Sequence, residues 1–503
     1  MLVGKTGLGR SSLSAEYPWY VRSQPLQHRT GTHIFQALYG DLLQPPASIA
    51  TLVALLESPY PLPELAWPHR QHSRYSICAG PPRMEQGRAK VWTPTEGNIL
   101  STLGERLQTG QQLPLVGEEA PLAEQTLPFT GGWLGWLGYD LAWEIEQLPR
   151  LKVDPLPFPV ALWYEPASFA VLDHEQQRLW LAASSPDDLE ALVHRLIRPP
   201  LPDLDLTAPP ATALPLHLGM TQADYQNAVR QAQQHIKAGD VFQVNLSLRF
   251  STQTTAHSWS LYRHLHRINP SPFACYWHTP WGDVISCSPE RLVQIQGNQA
   301  QTRPIAGTRP RGATPAQDRH YAETLLSNAK ERAEHIMLVD LERNDLGRVC
   351  KWGSVAVDEL LTVEYYSHVM HLVSNVVGQM APGRTAVDVI RAVFPGGTIT
   401  GCPKVRCMAI IETLEPLRRS LFYGSCGYLD RQGQLDLNIL IRTLLVEPAR
   451  VKATLVEPAS DPFAPTQVWG QVGAGIVADS DPQREWLESL QKAQAQLVAL
   501  GLA

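Results

Sequence analysis

AVFPGGTITGCPKVRCM, residues 392–408, runs two glycines, a Thr-Ile-Thr step, a third glycine and a Cys-Pro bend into a basic segment with apolar periodicity. A loop that presents backbone N–H groups at a helix start is written this way, and such a loop suits an anion. Alone, the stretch is more often a tight turn before a helix. Its surroundings shift the balance. The C-terminal half also carries carboxylates at helical spacing, a Gly-Thr step flanked by arginines, and an Arg-Asn-Asp cluster at 343–345, more polar chemistry than turns require.

The 503 residues are 44% hydrophobic and 18% charged. That length allows a large core and roughly two to four domain-sized units. A net charge of −6 without a long Lys/Arg run argues against a nucleic-acid surface. The first residues, MLVGKTGLGRSS, lack an apolar leader, and no window approaches the roughly eighteen apolar residues of a membrane span. A cytoplasmic protein with no membrane partner is expected. The seven cysteines are scattered without CxxC spacing, which fits reduced thiols rather than zinc or disulfides.

Residues 1–30 read as a polar arm or edge segment. Periodicity predicts helix from Ile34 and a second helix over Ser48–Glu57, then a strand at Arg74–Gly80 and a helix in 91–109. The glycine- and aromatic-rich run Phe129–Asp140 suits a pair of closely packed strands. Strands are expected at Val160–Tyr164, Phe169–Leu172 and Leu179–Ala182, and a helix at Pro186–Ile197. The proline-rich stretch 198–219 reads as an extended connection between an N-terminal region (1–197) and a second domain (220–503). Beyond it, Thr221 caps a helix ending at Gly239, and Asp240–Phe250 is a strand.

Three constellations carry candidate chemistry. Glu331, Glu334, Asp340, Glu342 and Asp345 fall in KERAEHIMLVDLERNDLGR, and Glu485 and Glu488 stand three apart on one helix face. Solvated helix faces look similar, but the small-residue strand GAGIVADSDP delivers the second pair. Oxygen ligands with few imidazoles point to Mg²⁺ rather than zinc. In QTRPIAGTRPRG (301–312), Gly307 and Thr308 read as a rigid turn able to hold a ligand, with Arg303, Arg309 and Arg311 nearby. Glu290, His371 and Arg442 are polar residues set in apolar runs, usually a structural pattern when met singly.

These motifs, in this order, resemble the chorismate-utilising enzymes, which include anthranilate synthase component I, aminodeoxychorismate synthase component I and the isochorismate and salicylate synthases. DVFQVNLSLRF, SPERL, RPIAGTRPRG, AKERAEHIMLVDLERNDLGR, GSVAV, FPGGTITGCPKVRCM, GYLD, IRT and GAGIVADS carry the likeness. It implies a large α/β (α+β) sandwich of two antiparallel sheets with outer helices, closing around one cleft. It also implies that a nucleophile, ammonia or water, attacks C2 of chorismate and displaces the C4 hydroxyl. By similarity, Mg²⁺ sits among Glu334, Glu485 and Glu488. Glu290, as general acid, and His371 stand near the departing hydroxyl, with Ala306, Gly307 and Thr308 alongside. Arg442, Tyr428, Gly427 and the Gly473-Ala474-Gly475 backbone hold the enolpyruvyl carboxylate. Lys404, Arg343, Arg348, Ser354 and Lys492 complete or support the site.

Where members of the family use water, a lysine usually stands at the position of Gln243, and glutamine cannot act as that base. Ammonia is therefore the expected nucleophile. GSCGY (424–428) is no glutaminase signature, so a separate glutamine amidotransferase subunit is expected to supply it. VNLSLRF, FPGGTITGCPK and LDLNILIRT resemble the aminodeoxychorismate branch, whereas Ala306 is the residue of anthranilate synthases. Ser58, Arg74, Tyr75 and Ser76 resemble the family's tryptophan pocket, read here as structural or vacant. A non-catalytic chorismate-binding regulator is the reading from another class, and the retained glutamates argue against it.

Overall fold

The quoted stretch folds as a helix, Ala386–Val393, a single helical turn, Gly397–Ile399, a two-residue strand, Gly401–Cys402, and a helix, Lys404–Leu414. Thr385 caps the first helix reciprocally with Asp388. The computed structural model describes residues 18–44, 46–60, 74–109, 115–116, 127–197, 215–365, 369–448 and 465–502. The arm at 1–17 and most of the proline-rich connection (198–214) lie outside the described residues. Of that connection, His217–Leu218 forms a strand on Phe250 and Ser251.

Among the described residues two large sheets form, of 13 and 10 strands. Their ladders are antiparallel except between Trp19–Pro25 and Leu115–Val116. From the edge strand His217–Leu218, the larger sheet passes through Gln243–Thr254, Thr466–Ile476, Thr443–Val446, Gly282–Ser288 and Phe273–Thr279. It continues through Val53–Glu57, Tyr75–Ala79, Ser168–Asp173, Arg178–Ala183 and Trp19–Pro25. The smaller runs from Ile305–Pro310 through Val369–Gln379, Arg291–Gln296 and Ser425–Asp430 to Gly132–Leu137 and Ala161–Tyr164. Both sheets cross the 198–219 boundary, since Phe273–Thr279 pairs with Val53–Glu57 and Ser425–Asp430 with Gly132–Leu137.

One apolar core fills the space between the sheets and a second lies under the helices on the outer face of the larger sheet. Trp136 and Trp277 meet edge to face across the first, ring centres 5.7 Å apart, a geometry that adds about 0.5–1.5 kcal/mol beyond area burial. The family fold is therefore as expected: mixed α/β, with large antiparallel sheets and outer helices.

Local expectations fare unevenly. Helices form at Pro186–Ile197 and at Gln222–Lys237, the latter capped by Thr221 onto the Asp224 N–H. Residues 48–57 are not a helix: a short turn, Ile49–Thr51, precedes the strand Val53–Glu57. Leu52 and Ala54 enter the inter-sheet core while Val53 and Leu55 enter the other. A strand buried on both faces loses its alternation and reads as continuous apolar sequence. Residues 91–109 divide into a strand at Val91–Trp92 and a helix at Ile99–Thr109. Phe129–Asp140 holds one strand, Gly132–Leu137, not two, because its partners come from elsewhere in the chain.

The close approach expected there is real. A Cβ on Gly135 would stand 2.1 Å from the Leu162 carbonyl oxygen and 2.6 Å from the Trp163 ring. Gly135→Ala is expected to destabilise the protein by about 1–3 kcal/mol, measured as a lower denaturant midpoint at unchanged slope. An unchanged midpoint would contradict this packing.

Candidate active site

Glu290 lies between two strands, Gly282–Ser288 and Arg291–Gln296, and is 5% exposed. Burial pushes its carboxyl up to about 7, against opposing contributions from Thr398, the Ile305 backbone and Arg442. His371, on Val369–Gln379, is held down to about 3 by burial and then by the Arg442 charge, so its imidazole is neutral. The shared influence of Arg442 brings Glu290, His371 and Arg442 into one electrostatic neighbourhood. His371 Nδ1 lies 3.0 Å from Thr308 Oγ1 and 3.3 Å from the Gly307 carbonyl. Arg442 has φ +52 and donates to Asn269 Oδ1 at 3.2 Å. Such strained backbone concentrates at functional sites.

Residues 305–310 are an edge strand, not the expected turn. A bulge sits between Ala306, paired with Leu372, and Thr308, paired with His371. Gly307 takes φ +68 there, a conformation that suits glycine. The neighbouring arginines are paired: Arg303 with Glu364 and Glu359, Arg309 with Glu331 at 2.7 Å, and Arg311 with Asp318 at 2.6 Å. They hold the strand to its neighbours and leave Thr308, opposite His371, on the site face, while Ala306 shares the face of Leu372.

The Gly473–Gly475 segment forms another wall. Ala474 is buried in the core, while Gly473 and Gly475 lie on the opposite, partly open face. A Cβ on Gly473 would stand 3.0 Å from the Tyr423 hydroxyl and 3.1 Å from Asn245 Oδ1; one on Gly475 would stand 2.3 Å from Gln243 Nε2. Gln243 Oε1 and Asn245 Oδ1 are buried without a hydrogen-bond partner, beside the buried Tyr423 hydroxyl, and the Thr398 hydroxyl stands next to Glu290. Asn245 Nδ2 donates to the Thr398 carbonyl at 3.3 Å, which joins this wall to the loop beside Glu290. Polar atoms buried at such cost in one place mark a ligand surface.

Beneath the loop, Lys404 Nζ bonds Asp345 Oδ2 at 2.6 Å and the Val393 carbonyl at 2.7 Å. Lys404 thus fastens its helix to Ala329–Gly347. Glu342, a turn before Asp345, is pushed well above the usual carboxylate range by burial and by the Asp345 charge. Arg343 is exposed and pairs with Asp340. Arg348 reaches the Ala392 carbonyl at 3.5 Å, and Ser354 bonds Lys351 within its own turn. Arg343, Arg348 and Ser354 are not drawn into the polar wall.

Glu334 and Glu485 are raised above the usual carboxylate range, first by burial and then in part by neighbouring acids, Glu488 among them. Lys492 bonds Glu488 at 2.9 Å and the Gly473 carbonyl at 3.0 Å, and Lys330 stands 4.0 Å from Glu334. These three carboxylates form one negative neighbourhood beside Gly473, and their all-oxygen chemistry fits a hard divalent cation. As placed, no group of three acidic, imidazole or thiol side chains among the described residues encloses an ion.

Gly427 and Tyr428 lie elsewhere, in a cavity of about 510 Å³ lined also by Ser58, Arg74, Tyr75 and Asn438. Ser76 lies beneath it, accepting the Ser58 N–H at 3.1 Å, and Arg74 pairs with Asp173 at 2.7 Å. The four N-terminal residues thus converge, but Tyr428 joins them rather than Arg442. The tyrosine facing Gly473 is Tyr423, at the other end of the same segment, with φ +65. Sequence reading missed Tyr423, Asn245 and Thr398. The only signals were a second tyrosine before GSCGY, the first of the three polar residues in VNLSLRF and the first hydroxyl of Thr-Ile-Thr. All seven cysteines are free thiols, as expected. No helix among the described residues is long and apolar enough to cross a membrane.

Known proteins resemble this chain over nearly all its length. The chorismate binding enzyme family matches residues 63–498. An anthranilate synthase component I-like protein of Synechocystis is 54% identical over 99% of this chain and 96% of its own. Aminodeoxychorismate synthase component 1 of Bacillus subtilis is 44% identical over 75% of this chain and 78% of its own. The crystal structure of anthranilate synthase component I from Streptococcus pneumoniae has a TM-score of 0.69 at 31% identity, covering 91% of this chain and 98% of that one. The chain belongs to the chorismate binding enzymes, in the group of the anthranilate and aminodeoxychorismate synthases.

Proposed function

We propose that the chain is an aminodeoxychorismate synthase component I, which converts chorismate and ammonia to 4-amino-4-deoxychorismate, the precursor of 4-aminobenzoate and folate. Gln243 carries the choice of ammonia: its buried carboxamide oxygen has no partner and its side chain lies against Gly475. A carboxamide does not deprotonate water at neutral pH, while ammonia attacks without that help. In this reading Glu290, protonated below about 7, gives its proton to the departing C4 hydroxyl. Neutral His371 orients that hydroxyl by hydrogen bonding. Arg442 and Tyr423 hold the enolpyruvyl carboxylate against Gly473. Held by Glu334, Glu485 and Glu488, Mg²⁺ would offset the ring carboxylate's charge. A separate glutamine amidotransferase subunit delivers the ammonia, and the pair works in the cytoplasm.

The branch rests on the resemblance of VNLSLRF, FPGGTITGCPK and LDLNILIRT, supported by the Bacillus subtilis relative. Incubation with chorismate, ammonium and Mg²⁺ tests it. Formation of 4-aminobenzoate only after an aminodeoxychorismate lyase is added supports the proposal; direct release of fluorescent anthranilate overturns it. Ala306 favours that second reading, anthranilate synthase component I. Strong inhibition by micromolar tryptophan would favour it too; the proposal predicts none, and a tryptophan titration of initial rates decides.

Ala306 also bears on mechanism. Many aminodeoxychorismate synthases carry at the position of Ala306 a lysine that attacks C2 of chorismate before ammonia attacks C4; a methyl group cannot do so, and RPIAGTRPRG contains no lysine to replace it. Intact-mass spectra during turnover should therefore show only the unmodified chain. A covalent substrate adduct on the wild type would contradict this.

A further inference from the structure

We infer that Arg419, a residue that meets no reacting group, is the positioning residue that holds the walls of this site in register. This rests on the functional reading above. Arg419 is 1% exposed, follows the helix Lys404–Leu414, and aims every polar edge of its guanidinium at a different segment. Nε and Nη2 form a fork on Glu415 at 3.0 and 2.7 Å. Nη1 donates to the Ile399 carbonyl at 2.7 Å and Nη2 to the Asn245 carbonyl at 2.9 Å. Its planar face lies against two rings, 4.8 Å from the centre of Tyr139 and 4.7 Å from that of Tyr423. Glu415 in turn accepts from the Ser247 N–H and hydroxyl, both at 2.8 Å.

The segments tied together are those that present the buried polar atoms of this wall. Ile399 follows Thr398, which stands beside Glu290; Asn245 and Tyr423 face Gly473. Three walls from distant parts of the sequence are thus referenced to one rigid plane. A buried ion pair is weak support for stability, since apolar residues of similar volume often do as well. Its value here is geometric. Lysine retains the charge but has neither the fork nor the flat face.

The test compares wild type with Arg419→Lys and, should that variant fail to fold, with the double variant Arg419→Met/Glu415→Leu, which removes both buried charges together. Hydrogen exchange without substrate should quicken at residues 396–400 and 423–424 while the distant helix Pro186–Ile197 is unchanged. In assays with chorismate and ammonium, KM for chorismate should rise about tenfold or more, and kcat should fall about 10- to 100-fold. Loss of folded fraction alone would lower apparent kcat at constant KM. Unchanged exchange at both segments, or an unchanged KM, would overturn the inference. A wild type that leaves chorismate untouched would instead remove the proposed function, and the exchange data would still decide whether Arg419 holds the two segments.

Discussion

Glu290→Gln should lower kcat by about 10²- to 10⁴-fold, the usual contribution of a positioned general acid, while the fold survives. The substitution is nearly isosteric and replaces a carboxyl that burial already holds largely protonated below about 7. Wild-type rates should accordingly fall as pH rises through about 7, because the acid form is lost. His371, held down to about 3, stays neutral across that range and contributes no limb. The stability sign follows from the same shift. A carboxyl raised from 4.5 to about 7 on folding favours the native state fully below its unfolded value, and that contribution disappears as pH climbs through about 7. Glu290→Gln should flatten stability across this window. Rate profiles and denaturation midpoints of both proteins measure it; a variant with wild-type kcat would end the assignment of Glu290 as the acid.

Glu488→Ala should abolish detectable turnover, and excess EDTA should do the same to the wild type until Mg²⁺ is restored. A cation offsetting substrate charge contributes several kcal/mol, which at ~1.4 kcal/mol per tenfold is on the order of 10³-fold. The fold should be indifferent. The Glu488 side chain is 52% exposed and its one ion pair, to Lys492, is at the surface, where such pairs contribute about 0–1 kcal/mol. Full activity in EDTA, or an Ala variant with an unchanged rate, would exclude this role for the Glu334, Glu485 and Glu488 group.

The sequence made some parts legible and hid others for physical reasons. Capped, amphipathic helices such as Gln222–Lys237 announce their ends, because the cap is a local interaction. Val53–Glu57 did not read as a strand, since burial on both faces erases the alternation that marks one. Glu290, His371 and Arg442 stood out as polar residues in apolar runs, and the fold brings them to one neighbourhood. Arg303, Arg309 and Arg311 looked like a ligand grip because their carboxylate partners lie 61, 22 and 7 residues away in the sequence. Tyr428 drew attention through GYLD, yet the strand carries it to the 510 Å³ cavity, and Tyr423 turns toward Gly473. That choice depends on backbone direction at Tyr423, which no spacing rule reports.

The central claim is that ammonia, not water, replaces the C4 hydroxyl of chorismate in a site where Gln243 supplies no base. Incubating the protein with chorismate, Mg²⁺ and ¹⁵N-ammonium, then taking the mass spectrum of the ring product, tests it directly. The account predicts a product that carries the label on its ring amino group, with no isochorismate formed. An unlabelled hydroxylated product, or chorismate recovered intact, would contradict it.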